Sequence, residues 1–203
     1  MNQGKTVVID YQAGNLNSVC KALRAAGADV QVTAEPKTLL DAARIVLPGV
    51  GHFASTGCLL TSGIGEALRN RVANGIPFLG ICVGLQWLFA GSTEAPETPG
   101  LGVFTGMCER FPFSVKSPHV GWNSLKTTTS SRLLNGLETS PYVYYTHSYR
   151  APLINATTSV TNYGGEFSAV IEQDNWMAVQ FHPEKSGVVG LKILENFLKV
   201  STC

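Results

Sequence analysis

Apolar and polar positions alternate in blocks along the first half of the chain. Residues 6–10 are an apolar run with β-branched side chains, which predicts a buried strand. Apolar side chains at 16, 19, 20, 23 and 26 then repeat at helical spacing, and Gly27 is placed to end that helix. A second strand is expected over 29–33, a short helix over 37–43, and a third strand over 44–47, stopped by Pro48-Gly49. Apolar residues at 64, 67, 68 and 72 predict a helix over 64–73 that ends near Gly75. A fourth strand follows at 77–81 and a helix at 84–90.

Strand and helix in alternation, joined by short turns, mean a largely parallel sheet covered by helices. In such sheets the loops that handle ligands lie at the carboxyl ends of strands. Both the Pro-Gly-Val-Gly segment at 48–51 and Cys82 fall there. After residue 90 the texture changes. Residues 91–100 are rich in Pro, Gly and Glu and read as an exposed loop. Short β-like runs follow at 142–146, 157–162, 168–172 and 176–181, which predicts antiparallel hairpins added to the sheet. From 185 onward the pattern is helical again, with Leu191, Leu194, Phe197 and Leu198 on one face. No repeat or long linker divides the chain, so residues 1–203 are expected to form one α/β domain with a central mixed sheet and flanking helices.

Composition narrows the function classes. The chain is 44% apolar and 14% charged, with fifteen basic residues against fourteen acidic ones, so it carries no electrostatic footprint for nucleic acid or an acidic membrane. The N-terminal apolar run is too short for a secretory signal, and no stretch reaches membrane-spanning length. A soluble cytoplasmic protein is expected. Five cysteines at 20, 58, 82, 108 and 203 include no CxxC pair, and four histidines at 52, 119, 147 and 182 are scattered. No disulfide framework, metal or cofactor is expected.

The sharpest local signal is Gly80-Ile81-Cys82-Val83-Gly84, between a strand and a helix. It is a nucleophile elbow with cysteine in place of serine: the glycines allow a sharp turn and the helix N-terminus favours the thiolate. A lone cysteine is ordinarily buried and structural, the reading kept for Cys20, Cys58, Cys108 and Cys203. A thiol nucleophile needs a base, and the base an orienter. His182-Pro183-Glu184 supplies both directly after the strand at 176–181, although a His before Pro is also an ordinary strand end. Pro183 biases His182 to extended backbone, so a two-residue period would send His182 and Glu184 to the same side, about 6.6 Å apart at Cα. His119 and His147 remain rival bases.

The glycines at 49 and 51 let backbone N–H groups turn toward a ligand, and with the N–H of Val83 could form an oxyanion hole. Gly49-x-Gly51-x-x-Ala54 also fits a dinucleotide fingerprint, but it follows the third strand rather than the first and lacks the acidic residue about 20 positions on. Gln86, one turn past Cys82, is either a polar helix face or a substrate contact. His147-Ser148 ends a strand on the same rim. The tyrosines at 142, 144, 145 and 149 read as packing.

Together, GICVGLQ at 80–86, HPE at 182–184 and PGVG at 48–51 resemble the class I triad glutamine amidotransferases. LPGVGHF at 47–53, PHVGWN at 118–123, YTHSY at 145–149 and QFHPEKSG at 180–187 look like the glutaminase subunit of imidazole glycerol phosphate synthase, across most of the chain. The resemblance implies a flavodoxin-like amidotransferase fold. It implies Cys82 as nucleophile, His182 as base and Glu184 as orienter, an oxyanion hole from Val50, Gly51 and Val83, and substrate contacts from Gln86, His147 and Ser148. It also implies a heterodimer with a (β/α)8-barrel cyclase that receives the ammonia, with Asn15, Trp122 and Lys185 facing that partner. The chain departs from the family pattern at Gln12-Ala13, His52 and Val83, none of them in the triad. The rival function is a free-standing thiol hydrolase of γ-glutamyl bonds.

Overall fold

The computed structural model describes residues 4–12 and 14–200; Ala13 and Cys203 lie outside them. The chain opens with β1 (Lys5–Ile9), α1 (Leu16–Ala25), β2 (Asp29–Thr33) and β3 (Ala42–Leu47). Next come α2 (Gly57–Thr61), α3 (Ile64–Ala73), β4 (Phe78–Ile81) and α4 (Val83–Gln86). Short strands follow: β5 (Gly91–Ser92), β6 (Met107–Arg110), β7 (His119–Ser124) and β8 (Lys126–Thr127). The second half continues with β9 (Tyr142–His147), β10 (Tyr149–Arg150), β11 (Thr157–Asn162), β12 (Glu166–Gln173), β13 (Trp176–Val179) and α5 (Gly187–Leu198).

Eight strands form the main sheet in the order β2-β1-β3-β4-β13-β12-β11-β8. The pairs from β2 through β13 are parallel, and those from β13 through β8 are antiparallel. This is the mixed, largely parallel α/β sheet that the sequence predicts. Its inner parallel strands are mainly apolar because both faces are covered, with Val7, Val8 and Ile9 of β1 and Ile45, Val46 and Leu47 of β3 all buried, while the edge strand β2 is polar and partly exposed. Helix α1 turns Val19, Cys20 and Leu23 inward at the predicted spacing, and α3 does so with Ile64, Leu68 and Val72.

Several local expectations are corrected. Residues 36–41 form a 3-10 turn begun by Pro36, and Ala42 and Ala43 already belong to β3. The helix expected over 84–90 stops at Gln86. Trp87, Leu88 and Phe89 are wholly buried, and their carbonyls accept from Leu101, Phe104 and Gly102 rather than from a further helical turn. The loop at 91–100 is partly internal: Ser92 and Ala95 are buried, and the Glu94 carboxylate accepts from the Phe53 N–H at 2.8 Å. Strand β9 does not join the main sheet. It pairs antiparallel with β7 in a separate two-stranded ribbon, because PHVGWN supplies a nearer partner.

Candidate active site

Cys82 and His182 meet because β4 and β13 are parallel neighbours. Ile81 lies opposite Val179, so both strands deliver their next residues to the same edge, and the Cys82 N–H donates to the Val179 carbonyl at 2.8 Å. The elbow is strained: Cys82 has φ 54° and ψ −105°, a region that non-glycine residues rarely occupy. The flanking glycines are required by close approach. A Cβ on Gly80 would lie 2.6 Å from the Gly84 carbonyl oxygen, and one on Gly84 would overlap the Leu47 carbonyl oxygen. Gly49 is similarly confined, by the Tyr11 hydroxyl and Val83.

His182 is in extended conformation before Pro183, as predicted. The two-residue alternation proposed for Glu184 is wrong, since Pro183–Lys185 is a 3-10 turn. That turn nonetheless brings the Glu184 carboxylate under the ring, where it accepts from Nδ1 at 2.8 Å, both side chains being buried. Backbone bonds to β9 fix the imidazole further: the His182 N–H donates to the Tyr144 carbonyl at 2.9 Å, and Ser186 Oγ bridges the Tyr144 N–H and the His182 carbonyl. His182 Nε2 is buried and makes no hydrogen bond among the described residues. Burial opposes a charge on this ring, but the neighbouring Cys82 sulfur, followed by Glu184, outweighs it and pushes its pKa up to about 10. Beside the Cys82 sulfur this ring therefore favours the imidazolium form.

The rival bases are disqualified by their partners. His147 Nδ1 faces the Tyr149 carbonyl at 2.9 Å, so it carries the proton. His147 Nε2 then accepts from His119 Nδ1 at 3.1 Å, and His119 Nε2 faces the Asn123 amide at 3.4 Å. Burial lowers the pKa of His119 to about 4 and that of His147 to about 3, so both are neutral rings with every nitrogen engaged.

A cavity of about 260 Å3 opens at the nucleophile. Cys82, Val83, Val50, Gly51, Gln86, His147 and Ser148, all singled out from the sequence, line it together with Glu94 and Tyr149. Glu94 was missed because its loop reads as exposed surface. Gln180 was missed as well: it is wholly buried, and its Nε2 lies 3.6 Å from Cys82 Sγ. The Val83 N–H, one of the donors expected for an oxyanion hole, donates instead to the Gly49 carbonyl at 3.4 Å.

The three residues expected at a partner face divide. Asn15 donates its side-chain amide to Glu184 and so buttresses the triad. Trp122 is 55% exposed and lies edge-on to Tyr144 across the β7–β9 ribbon, while the exposed Lys185 ammonium lies over the same tyrosine ring at 5.7 Å. Among the described residues no helix is long and apolar enough to cross a membrane, and no cluster of three or more His, Cys, Asp or Glu could hold a metal.

A thiol at a strand-to-helix elbow, backed by a buried His–Glu pair from the next strand, defines a cysteine-triad amide hydrolase on an α/β sheet. Residues 7–200 match the family model for class-I glutamine amidotransferases, and the chain belongs to that family. Solved structures agree on the fold. PurLQS from Thermotoga maritima superposes with a TM-score of 0.77 at 18% identity, covering 96% of this chain and 97% of that one. A structure described as a glutamine amidotransferase gives 0.75 at 22% identity, covering 96% and 97%. Two curated relatives are nearer in sequence. Imidazole glycerol phosphate synthase subunit HisH of Methanothermobacter thermautotrophicus is 46% identical over 194 residues, 95% of this chain and 97% of that protein. Subunit HisH 1 of Methanococcus maripaludis is 42% identical over 199 residues, 95% and 98%. Within the amidotransferases, the chain belongs to the HisH subunits of imidazole glycerol phosphate synthase.

Proposed function

We propose that this chain, a single amidotransferase domain working in the cytoplasm, hydrolyses glutamine and hands the ammonia to a cyclase subunit with which it forms a heterodimer. The observation that carries this reading is the juxtaposition of Cys82 and the His182–Glu184 pair at the mouth of a cavity sized for an amino acid. The Cys82 sulfur attacks the side-chain amide carbon while His182 holds the thiol proton at Nε2. Collapse of the tetrahedral adduct expels ammonia, which takes that proton, and leaves a glutamyl thioester. Water then attacks the thioester with His182 as base, releasing glutamate and restoring the thiol. Glu184 keeps the Nδ1 proton in place throughout, and Asn15 keeps Glu184 in place. Gln86 and the Glu94 carboxylate would present acceptors to the substrate ammonium group in the cavity that His147 and Ser148 also line.

The bond from the Val83 N–H to the Gly49 carbonyl supports control by the partner. Turning over the Gly49–Val50 peptide would free the Val83 N–H and aim the Val50 N–H, which shares that peptide plane, at the oxyanion, next to Gly51. The exposed Trp122 and Lys185 beside the HPE turn are the face on which a barrel subunit would sit and bias that peptide. In the synthase the ammonia would serve ring closure to imidazole glycerol phosphate, with an aminoimidazole carboxamide ribotide as the second product. The test is glutamate release by the chain alone and with a purified cyclase barrel and its nucleotide ligand. A slow rate that rises at least about tenfold, about 1.4 kcal/mol of barrier, supports the reading. A fast rate indifferent to the barrel would make the chain a free-standing thiol hydrolase.

A further inference from the structure

Next to the nucleophile lies a hydrogen-bond donor that the triad does not use. Gln180 is the last residue but one before His182. Its side chain is wholly buried, with the amide between Cys82 and Gln86. An amide can present either its oxygen or its nitrogen to a neighbour, and the surroundings decide which. The Tyr149 carbonyl can only accept, so the Gln86 group 2.7 Å from it is the NH2. The same NH2 faces the Gln180 amide at 3.3 Å, and it needs an acceptor there, which is the Gln180 oxygen. The Gln180 NH2 is left directed at Cys82 Sγ, at 3.6 Å. Reversing either amide would set two NH2 groups against each other or place a carbonyl oxygen against a thiolate.

We infer that Gln180 is a further catalytic residue, whose side-chain N–H holds the Cys82 thiolate and whose orientation is dictated by Gln86 and the Tyr149 carbonyl. The inference rests on the glutaminase reading only for its purpose; the contact itself exists without substrate. A donor to sulfur favours the charged form, adding to what His182 does from the other side. The remaining titratable groups near the sulfur are the Tyr11 hydroxyl, from the segment after β1, and Glu94, Tyr149 and the neutral His147 on the cavity wall. None of these gives the sulfur a hydrogen bond among the described residues, and Tyr11 is held neutral by burial. The arrangement also gives Gln86 two tasks. Its NH2 is spent on Tyr149 and Gln180, so only its carbonyl oxygen is left for substrate.

The contact can be tested without glutamine or a partner. Alkylation of Cys82 by iodoacetamide is followed from pH 5 to 10 by peptide mass spectrometry in the full chain carrying Cys58→Ser, which removes the exposed competing thiol. Gln180→Met removes the donor at nearly constant volume, and Gln180→Glu replaces it with an acceptor. Both should move the inflection to higher pH, with alkylation at pH 7 slowed about tenfold and the high-pH plateau unchanged, the signature of a smaller thiolate fraction. In the glutaminase assay kcat should fall more than KM changes. An inflection unmoved in either folded variant overturns the inference, even if thermal stability drops, because a purely packing role would do only that. If the wild-type chain releases no glutamate under any condition, the proposed function fails, and the alkylation profile still decides the role of Gln180.

Discussion

Lowering the pH from 7 to 5 should cost the fold about 2 kcal/mol through His147 alone. The ring is buried against Phe111, Tyr145 and Phe167, with Nδ1 on the Tyr149 carbonyl and Nε2 occupied by His119. Burial is the main reason its pKa falls to about 3, against about 6.5 in an unfolded chain. The unfolded state therefore binds the proton first. The stability this ring contributes is complete above the unfolded value and is lost as pH falls toward 3. At pH 5 the unfolded ring is almost wholly protonated and the native ring almost wholly neutral, which gives the figure above. His119, lowered to about 4, acts in the same direction. His182 acts oppositely: its raised pKa makes its contribution complete below about 6.5 and lost as pH rises through about 10, so it offsets less than about 1 kcal/mol between pH 7 and 5. Urea unfolding followed by tryptophan fluorescence at the two pH values, on wild type and His147→Gln, reads the difference. Wild type should lose about 2 kcal/mol more than the variant on acidification. Equal losses would show that the ring titrates normally in the native state and that its neutral, doubly engaged geometry is wrong.

Gly84→Ala should destabilise the fold by about 2 kcal/mol or more, since its Cβ overlaps the Leu47 carbonyl in the neighbouring strand; an unchanged denaturation midpoint would contradict this packing. Glu184→Gln should leave the fold intact and lower partner-stimulated glutamate release by about 10^3- to 10^4-fold, because the His182 ring loses its fixed anionic acceptor; a loss under tenfold would mean that another group orients the base. A glutamine-analogue electrophile should label Cys82 and spare buried Cys20 and Cys108, which peptide mapping would reveal; labelling spread evenly over the cysteines would argue against an activated thiol.

Where a segment's structure follows from its own residues, the sequence was enough. The four parallel strands of the first half and helices α1 and α3 are local patterns, two-residue or continuous apolar runs and 3.6-residue stripes, and they are found within a residue or two of where those patterns end. The cysteine elbow was legible for the same reason. Gly-x-Cys-x-Gly after a strand has few structural uses, and both glycines prove to be fixed by close backbone contacts. The base and its orienter were legible as a motif, although the geometry offered for them was wrong: Pro183 opens a 3-10 turn instead of continuing the strand.

Other features depended on residues distant in sequence. Residues 87–89 have carbonyls claimed by a segment beyond residue 100, so a locally helical sequence stops short. Glu94 reaches the cavity because its loop folds inward onto the Phe53 N–H, 41 positions away. His119 and His147 remained rivals of His182 until pairing of β7 with β9 set them nitrogen to nitrogen. The sequence by itself determined the parallel α/β sheet and the cysteine elbow and marked His182-Pro183-Glu184 as a candidate pair, since each is written in contiguous residues whose steric and solvation preferences act locally. Tertiary structure alone decided which histidine is free to take a proton, that Asn15 backs Glu184, that Gln180 reaches the sulfur and that the Gly49 carbonyl accepts from the Val83 N–H. Each of those depends on the direction of a hydrogen bond between segments that meet only when the sheet is assembled.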